Sequence, residues 1–200
     1  MLFLQLLFIN QVSQQVYYIK ITIKENLSKM QLRNKIKSNE YERLDEDTKS
    51  KLVNKEKTGI KDFIKHPIII KNRCGYEEIS EKLLKQLMLE DITSFMKELG
   101  DGFCYIDNEY KIKVGDRYNY IDLLLFNIEY NCYVVVELKV TELKKEHIGQ
   151  IEIYMNYIDK NIRSINQGKT IGIIIARKDN KFIMEYCSDY RIYRTTYELV

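Results

Sequence analysis

This 200-residue chain has little of what builds zinc sites and disulfide frameworks: two histidines and four cysteines. Cys74, Cys104, Cys132 and Cys187 lie 30, 28 and 55 residues apart with no C-x-x-C pair, and His66 and His147 do not complete a tetrad. Neither a structural zinc nor a disulfide scaffold is signalled. Long hydrophobic runs are also scarce. The opening "MLFLQLLFIN" lacks a basic leader and a small-residue cleavage site, and it falls short of the ~18 apolar residues of a spanning helix. The expectation is an intracellular, cytoplasmic protein without a membrane partner, whose apolar start packs against a helix or a second subunit. Repeats and low-complexity tracts are absent, and the single proline, Pro67, follows a highly charged stretch.

What is present fits a chain of one or two domains with room for a sizeable core, since 45% of it is hydrophobic and 30% charged. The net charge of +3 is unevenly spread, because residues 1–66 carry 13 Lys/Arg against 8 Asp/Glu. That basic excess suits a nucleic-acid-facing module, and a solvated helical surface explains it equally well. A helix is expected over residues 11–24, and Ser28 and Gln31 have the spacing of a capping box for a second one. Leu32 and Ile36 share a face of that second helix, with Arg33, Lys35 and Lys37 on others. The pair resembles either a helix-turn-helix-like unit or a plain helical bundle. The stretch from Tyr41 to Pro67 reads as a linker. The boundary is placed so that residues 1–66 form a partial helical domain and residues 67–200 a second domain.

In the second part, apolar residues from Ile79 to Leu99 follow the 3.6-residue period of one amphipathic helix, with Gly100 as its stop. Four strand-like segments come next, at 103–114, 118–127, 132–140 and 170–177. Short polar connections join the first three into an antiparallel meander. A helix from "TELKKEHIGQIEIYMNYIDKNI" precedes the fourth, which implies a parallel crossover. The fold class is α/β, a mixed sheet flanked by helices.

Charges stand inside the apolar runs "YIDLLLFN" and "CYVVVELKV". Burying Asp122, Glu137 and Lys139 costs several kcal/mol unless each is paired, hydrogen-bonded or metal-bound. Glu137 and Lys139, two residues apart on one strand, leave the same face. A hairpin across residues 127–132 brings Asp122 alongside. Two carboxylates, a backbone carbonyl such as that of Leu138, and waters suit Mg²⁺ or Mn²⁺, and an adjacent ammonium suits positioning of water or stabilisation of phosphate charge. The spacing is equally that of an aspartate at a strand edge and a Glu–Lys surface pair.

From Tyr17 onward the chain resembles the YhcG-type family of PD-(D/E)XK nucleases. The likeness is carried by "YYIKITIKENLSKMQLRNKIKSNEYERL" and "IKDFIKHPIIIKN" in the first part, and by "FMKELGDGFCYIDNEYKIKVGDRYNYIDLLLFNIEYNCYVVVELKV", "HIGQIEIYMNYID" and "TIGIIIARKDN" in the second. The resemblance implies a restriction-endonuclease-like fold and metal-dependent cleavage of DNA, with RNA an open alternative and a homodimer as the assembly. It places the family's aspartate on Asp122, its E-x-K on Glu137 and Lys139, and its helical glutamine on Gln150. Tyr154 follows one turn later as a candidate base- or phosphate-contacting residue. The glutamate common on the first core helix falls on Lys85 here, leaving Glu81 and Glu90 as candidate additional acids. The faint match of the first residues implies a truncated member. A nucleic-acid-binding or assembly subunit that cleaves poorly is the alternative function, and a protein-interaction domain ranks behind both.

Overall fold

The structure, a computed structural model, describes residues 9, 11–54, 56–185, 187 and 189–200. The chain divides into two compact units, Met1–His66 and Pro67–Val200. Apart from Ile9, the apolar start lies outside the described residues.

The first unit is helical. Helix α1 (Val12–Lys24) and helix α2 (Lys29–Lys37) are separated by a break in which Asn26 takes φ 50°. The capping box at the start of α2 is complete: Gln31 N donates to Ser28 Oγ (3.3 Å) and Ser28 N to the Gln31 carboxamide (2.8 Å). Tyr17, Tyr18, Leu32, Tyr41, Leu44 and Ile9 form the core.

The charged stretch after Tyr41 is no linker. It forms helix α3 (Glu46–Asn54) and a 3-10 turn at Ile60–Phe63. Asp62, buried in that turn, accepts from Thr48 Oγ1 (3.1 Å), Lys51 Nζ (3.0 Å) and Gly59 N (2.6 Å). Order here comes from satisfied polar groups, which a search for apolar periodicity does not see.

The second unit is built on a six-stranded sheet in the order β1-β6-β5-β4-β3-β2. Its strands are β1 (Ile68–Ile70), β2 (Phe103–Val114), β3 (Arg117–Asn127), β4 (Cys132–Glu142), β5 (Ile171–Lys178) and β6 (Ile192–Leu199). Strands β2, β3 and β4 form the expected antiparallel meander. The two-residue turn Gly115–Asp116 closes the first hairpin, and Gly115 takes the positive φ (61°) required at its first position. Helix α6 (Lys145–Asn161) carries the chain from β4 to a parallel β5.

The edge pairings of β6 with β5 and of β1 with β6, both parallel, were not legible in the sequence. Strand β1 is only three residues long, and β6 mixes Thr, Tyr and Arg. Helix α6 approaches β5 so closely that a Cβ on Gly172 would lie 2.7 Å from Met155 Sδ and 2.8 Å from Ile151 Cδ1.

The single amphipathic helix expected over 79–99 is two helices, α4 (Glu81–Glu90) and α5 (Ile92–Leu99). Asp91 leaves the helical region (φ −133°, ψ 53°) and its carboxylate accepts from Ser94 N at 3.2 Å, capping α5. The apolar period runs through the break because both helices bury the same kind of face, and an aspartate favours a cap over a helix interior. Gly100 stops α5 at φ 112°. A short helix α7 (Lys181–Glu185) precedes β6. No described helix is long and apolar enough to cross a membrane.

Candidate active site

Strand β4 lies between β3 and β5 in the middle of the sheet, so its central residues, Val134 to Lys139, are dehydrated. Val134 to Val136 and Leu138 are fully buried, and Glu137 shares that environment at 1% exposure. One oxygen of Glu137, Oε2, faces Lys139 Nζ at 3.3 Å. The other, Oε1, is buried with no hydrogen-bond partner. Burial pushes the Glu137 carboxyl up to about 8, the charge of Asp122 adds to the rise, and the Lys139 ammonium opposes it. Two ammonium groups already face these carboxylates, yet Oε1 itself has no donor, and a buried acceptor of that kind can be satisfied by a cation.

Asp122 comes to this point through a local parting of strands. The β3–β4 ladder runs from Asn127 opposite Cys132 to Leu123 opposite Val136. One residue further, Asp122 Oδ2 accepts the Leu138 amide at 2.9 Å. Its other oxygen, Oδ1, is 2.8 Å from Lys85 Nζ, and that ammonium also reaches Glu109 Oε1 at 3.2 Å. Burial by itself would lower the Lys85 pKa. The hydrogen bond and charge of Asp122 outweigh it and hold the pKa above its ordinary value.

Helix α6 closes the site from one side. Gln150 Nε2 donates to the Tyr154 hydroxyl at 3.0 Å. Tyr154 is buried in the cluster with Ile151, Met155, Ile121 and Val135, so it cannot stack on a base. A base-stacking ring does not fit this burial, while the hydroxyl meets Gln150. Burial raises the Tyr154 pKa, and the nearby Glu137 charge adds to the rise although the Gln150 hydrogen bond opposes it. At the start of α6, His147 Nδ1 accepts from Lys144 N at 3.1 Å. Its pKa is lowered by burial and then by Lys139, which keeps the imidazole neutral.

The structure treats the remaining expected residues unequally. Glu81 lies on the rim, with Oε2 4.0 Å from Lys139 Nζ and its side chain half exposed. Glu90 is taken up by Gln86, whose Nε2 donates to it at 3.0 Å, and no described hydrogen bond or ion pair brings it to the site. In the first unit, Lys35 is paired with Glu25 (3.2 Å) and Glu40 (3.1 Å). Arg33 and Lys37 stay exposed.

The sequence marks Lys85 only as standing where the family's glutamate falls, not as a partner of Asp122, and does not mark His147. Lys85 lies one helical turn after Glu81, so the i, i+4 spacing from a candidate acid was its signal. His147 gave no signal beyond its place at a helix start.

A mixed sheet whose central strand carries E-x-K beside an aspartate of the adjoining hairpin strand defines a restriction-endonuclease-like protein. Within that class the chain belongs to the YhcG PDDEXK nuclease family, whose domain matches residues 61–198. It is 26% identical over 180 residues to YhcG of Escherichia coli (strain K12), a protein described provisionally as a nuclease. The alignment takes in 87% of this chain and 48% of that protein, so the chain spans about half the length of its curated relative. Among solved structures it is similar to a repair endonuclease from Pyrococcus abyssi (TM-score 0.43, 20% identity, 60% of this chain and 48% of that one). It is also similar to EndoMS in a complex with double-stranded DNA (TM-score 0.40, 20% identity, 62% of this chain and 47% of that one).

The donor set at the site can be tested for a divalent ion. Among the described residues no three His, Cys, Asp or Glu side chains gather at ion-holding distance. Asp122 and Glu137 make two, and a hard cation that keeps several waters needs no more from the protein. The unpartnered Oε1 of Glu137 and its raised pKa fit such an ion. Asp122 Oδ2 is engaged by the Leu138 amide, and Lys85 would compete with an ion for Oδ1.

Proposed function

We propose that the chain is a metal-dependent nuclease that hydrolyses phosphodiester bonds of DNA. The observation that carries this reading is the buried, unpartnered Oε1 of Glu137 next to Asp122. Asp122 and Glu137 would supply carboxylate oxygens to Mg²⁺ or Mn²⁺, and Leu138 its carbonyl. When bound, such an ion lowers the pKa of water and neutralises charge gathering on the phosphate. Lys139, oriented by Glu137 at 3.3 Å, positions the attacking water or offsets phosphate charge. Gln150, fixed by Tyr154, supports the site from α6. Glu81 stands at the rim as the additional acid. Lys85 leaves Asp122 Oδ1 and is received by Glu109, already 3.2 Å from the same ammonium. Exposed Arg33 and Lys37 on α2 grip phosphates without reading sequence. The reading includes a homodimer, because one such centre per chain cuts one strand at a time, and sedimentation measures that state.

The test is cleavage of duplex, supercoiled and single-stranded DNA and of RNA, with Mg²⁺ or Mn²⁺, by wild type, Asp122→Ala and Glu137→Gln. Metal-dependent cleavage lost in both variants, with circular dichroism unchanged, supports the reading and selects the substrate. The Lys85–Asp122 ion pair favours a second reading, a nucleic-acid-binding or assembly subunit that keeps the fold and cleaves poorly. Wild type that binds DNA without cutting it supports that one.

A further inference from the structure

Beyond Asp122 the β2–β3 hairpin runs outward, and its two faces differ in kind. Ile112 and Ile121 are buried in the core on one side. On the other, Lys111 stands opposite Tyr120 and Lys113 opposite Tyr118. Directly opposed residues share a face, so these four side chains form one surface. Tyr118 is 58% and Tyr120 53% exposed, large for aromatic rings in a sheet. Neither phenol hydroxyl bonds any described residue. The lysines approach the Tyr118 ring instead, Lys111 Nζ at 3.9 Å from its centroid and Lys113 Nζ at 6.0 Å. Tyr120 is two residues from Asp122, about 7 Å at the rise of a strand.

We infer that this face is a docking track for an unpaired nucleic-acid strand leading into the D…E-x-K site, an inference that rests on the nuclease reading above. Tyr118 and Tyr120 offer flat, desolvation-ready surfaces for two successive bases, and stacking of this kind tolerates any sequence. Lys111 and Lys113 supply the opposite charge to the strand's phosphates. A base arriving on Tyr118 displaces Lys111 from the ring onto the adjoining phosphate, so the cation–π contact keeps the ring presented until a ligand comes. The surface favours single strands over duplex, because a paired base has its faces covered by neighbours in the stack and cannot use the rings.

Fluorescence anisotropy with a labelled 20-nucleotide oligo-dT and a duplex of equal length, in EDTA to prevent cutting, tests the assignment. Wild type is expected to bind the single strand, with Tyr118→Ala and Tyr120→Ala each weakening it about tenfold or more, the scale of one lost stack. Tyr118→Phe retains binding. Lys111→Gln and Lys113→Gln each reduce the salt dependence by about 0.7, the slope of one phosphate contact on a single strand. A hairpin-stabilising role alone would lower the melting temperature and leave binding unchanged. Unchanged single-strand binding by both alanine variants overturns the track, and if wild type still cleaves with Mg²⁺ the nuclease reading survives it. Binding of duplex alone overturns the assigned ligand. Neither binding nor cleavage by wild type overturns both readings together.

Discussion

Lys85 Nζ lies 2.8 Å from Asp122 Oδ1, so a side chain of the first core helix places a positive charge against a carboxylate proposed to bind metal. The ammonium neutralises Asp122 in the absence of an ion and competes with one that arrives. Replacement by methionine, which keeps the stem and removes the charge, is expected to raise Mg²⁺ or Mn²⁺ affinity at least about tenfold, given the size of a unit charge at this range even after screening. The same variant loses thermal stability in EDTA, where two carboxylates are left facing each other. Isothermal titration and melting curves read both effects, and unchanged affinity would remove Lys85 from the site's electrostatics.

Glu137 sets a pH dependence whose sign can be worked out. Its carboxyl titrates at about 8 in the folded protein and near 4.5 when unfolded, so the folded state holds a proton that the unfolded state has lost. The stability linked to this group is fully present below the unfolded value and disappears as pH rises through about 8. Metal-free wild type is therefore expected to lose on the order of a few kcal/mol between pH 5 and 9 from this group. Glu137→Gln flattens that part of the curve and melts above wild type at pH 9. Binding of Mg²⁺ at pH 7 releases protons in wild type, which calorimetry in buffers of different ionisation enthalpy detects.

Gly172→Val tests the contact between α6 and β5. A Cβ there falls 2.7 Å from Met155 Sδ and 2.8 Å from Ile151 Cδ1, and a branched side chain leaves neither room to turn away. The expected loss is about 1–3 kcal/mol, the range of core overpacking, read from denaturant unfolding. Because Ile151 is one residue from Gln150 on α6, the variant should also weaken cleavage.

Asp62→Ala removes the acceptor shared by Thr48, Lys51 and Gly59. The expected cost is about 1–3 kcal/mol, that of leaving the buried Thr48 hydroxyl without its acceptor, while Lys51 keeps Asp47. Hydrogen exchange is expected to quicken in residues 12–66 while β3 to β5 keep their protection.

The amino-acid sequence by itself determined the middle of the sheet. Apolar β-branched runs separated by a Gly–Asp turn and a short polar loop specify the β2–β3–β4 meander, and a periodic helix before "TIGIIIAR" specifies the parallel crossover, because both signals are local. The same runs made Asp122, Glu137 and Lys139 conspicuous, since a charge in an apolar strand is costly wherever the strand ends up. Tertiary structure alone decided what those charges meet. No local pattern announces that Lys85 reaches Asp122 across 37 residues, that Tyr154 on α6 is buried while Tyr118 and Tyr120 face solvent, or that Lys35 pairs with Glu25 and Glu40. Nor does one place β6 beside β5 and β1 at the edge beyond it, where pairing rather than composition makes a strand. Periodicity reports which side of an element is dry; the partner of a buried charge is fixed only when distant elements close around it.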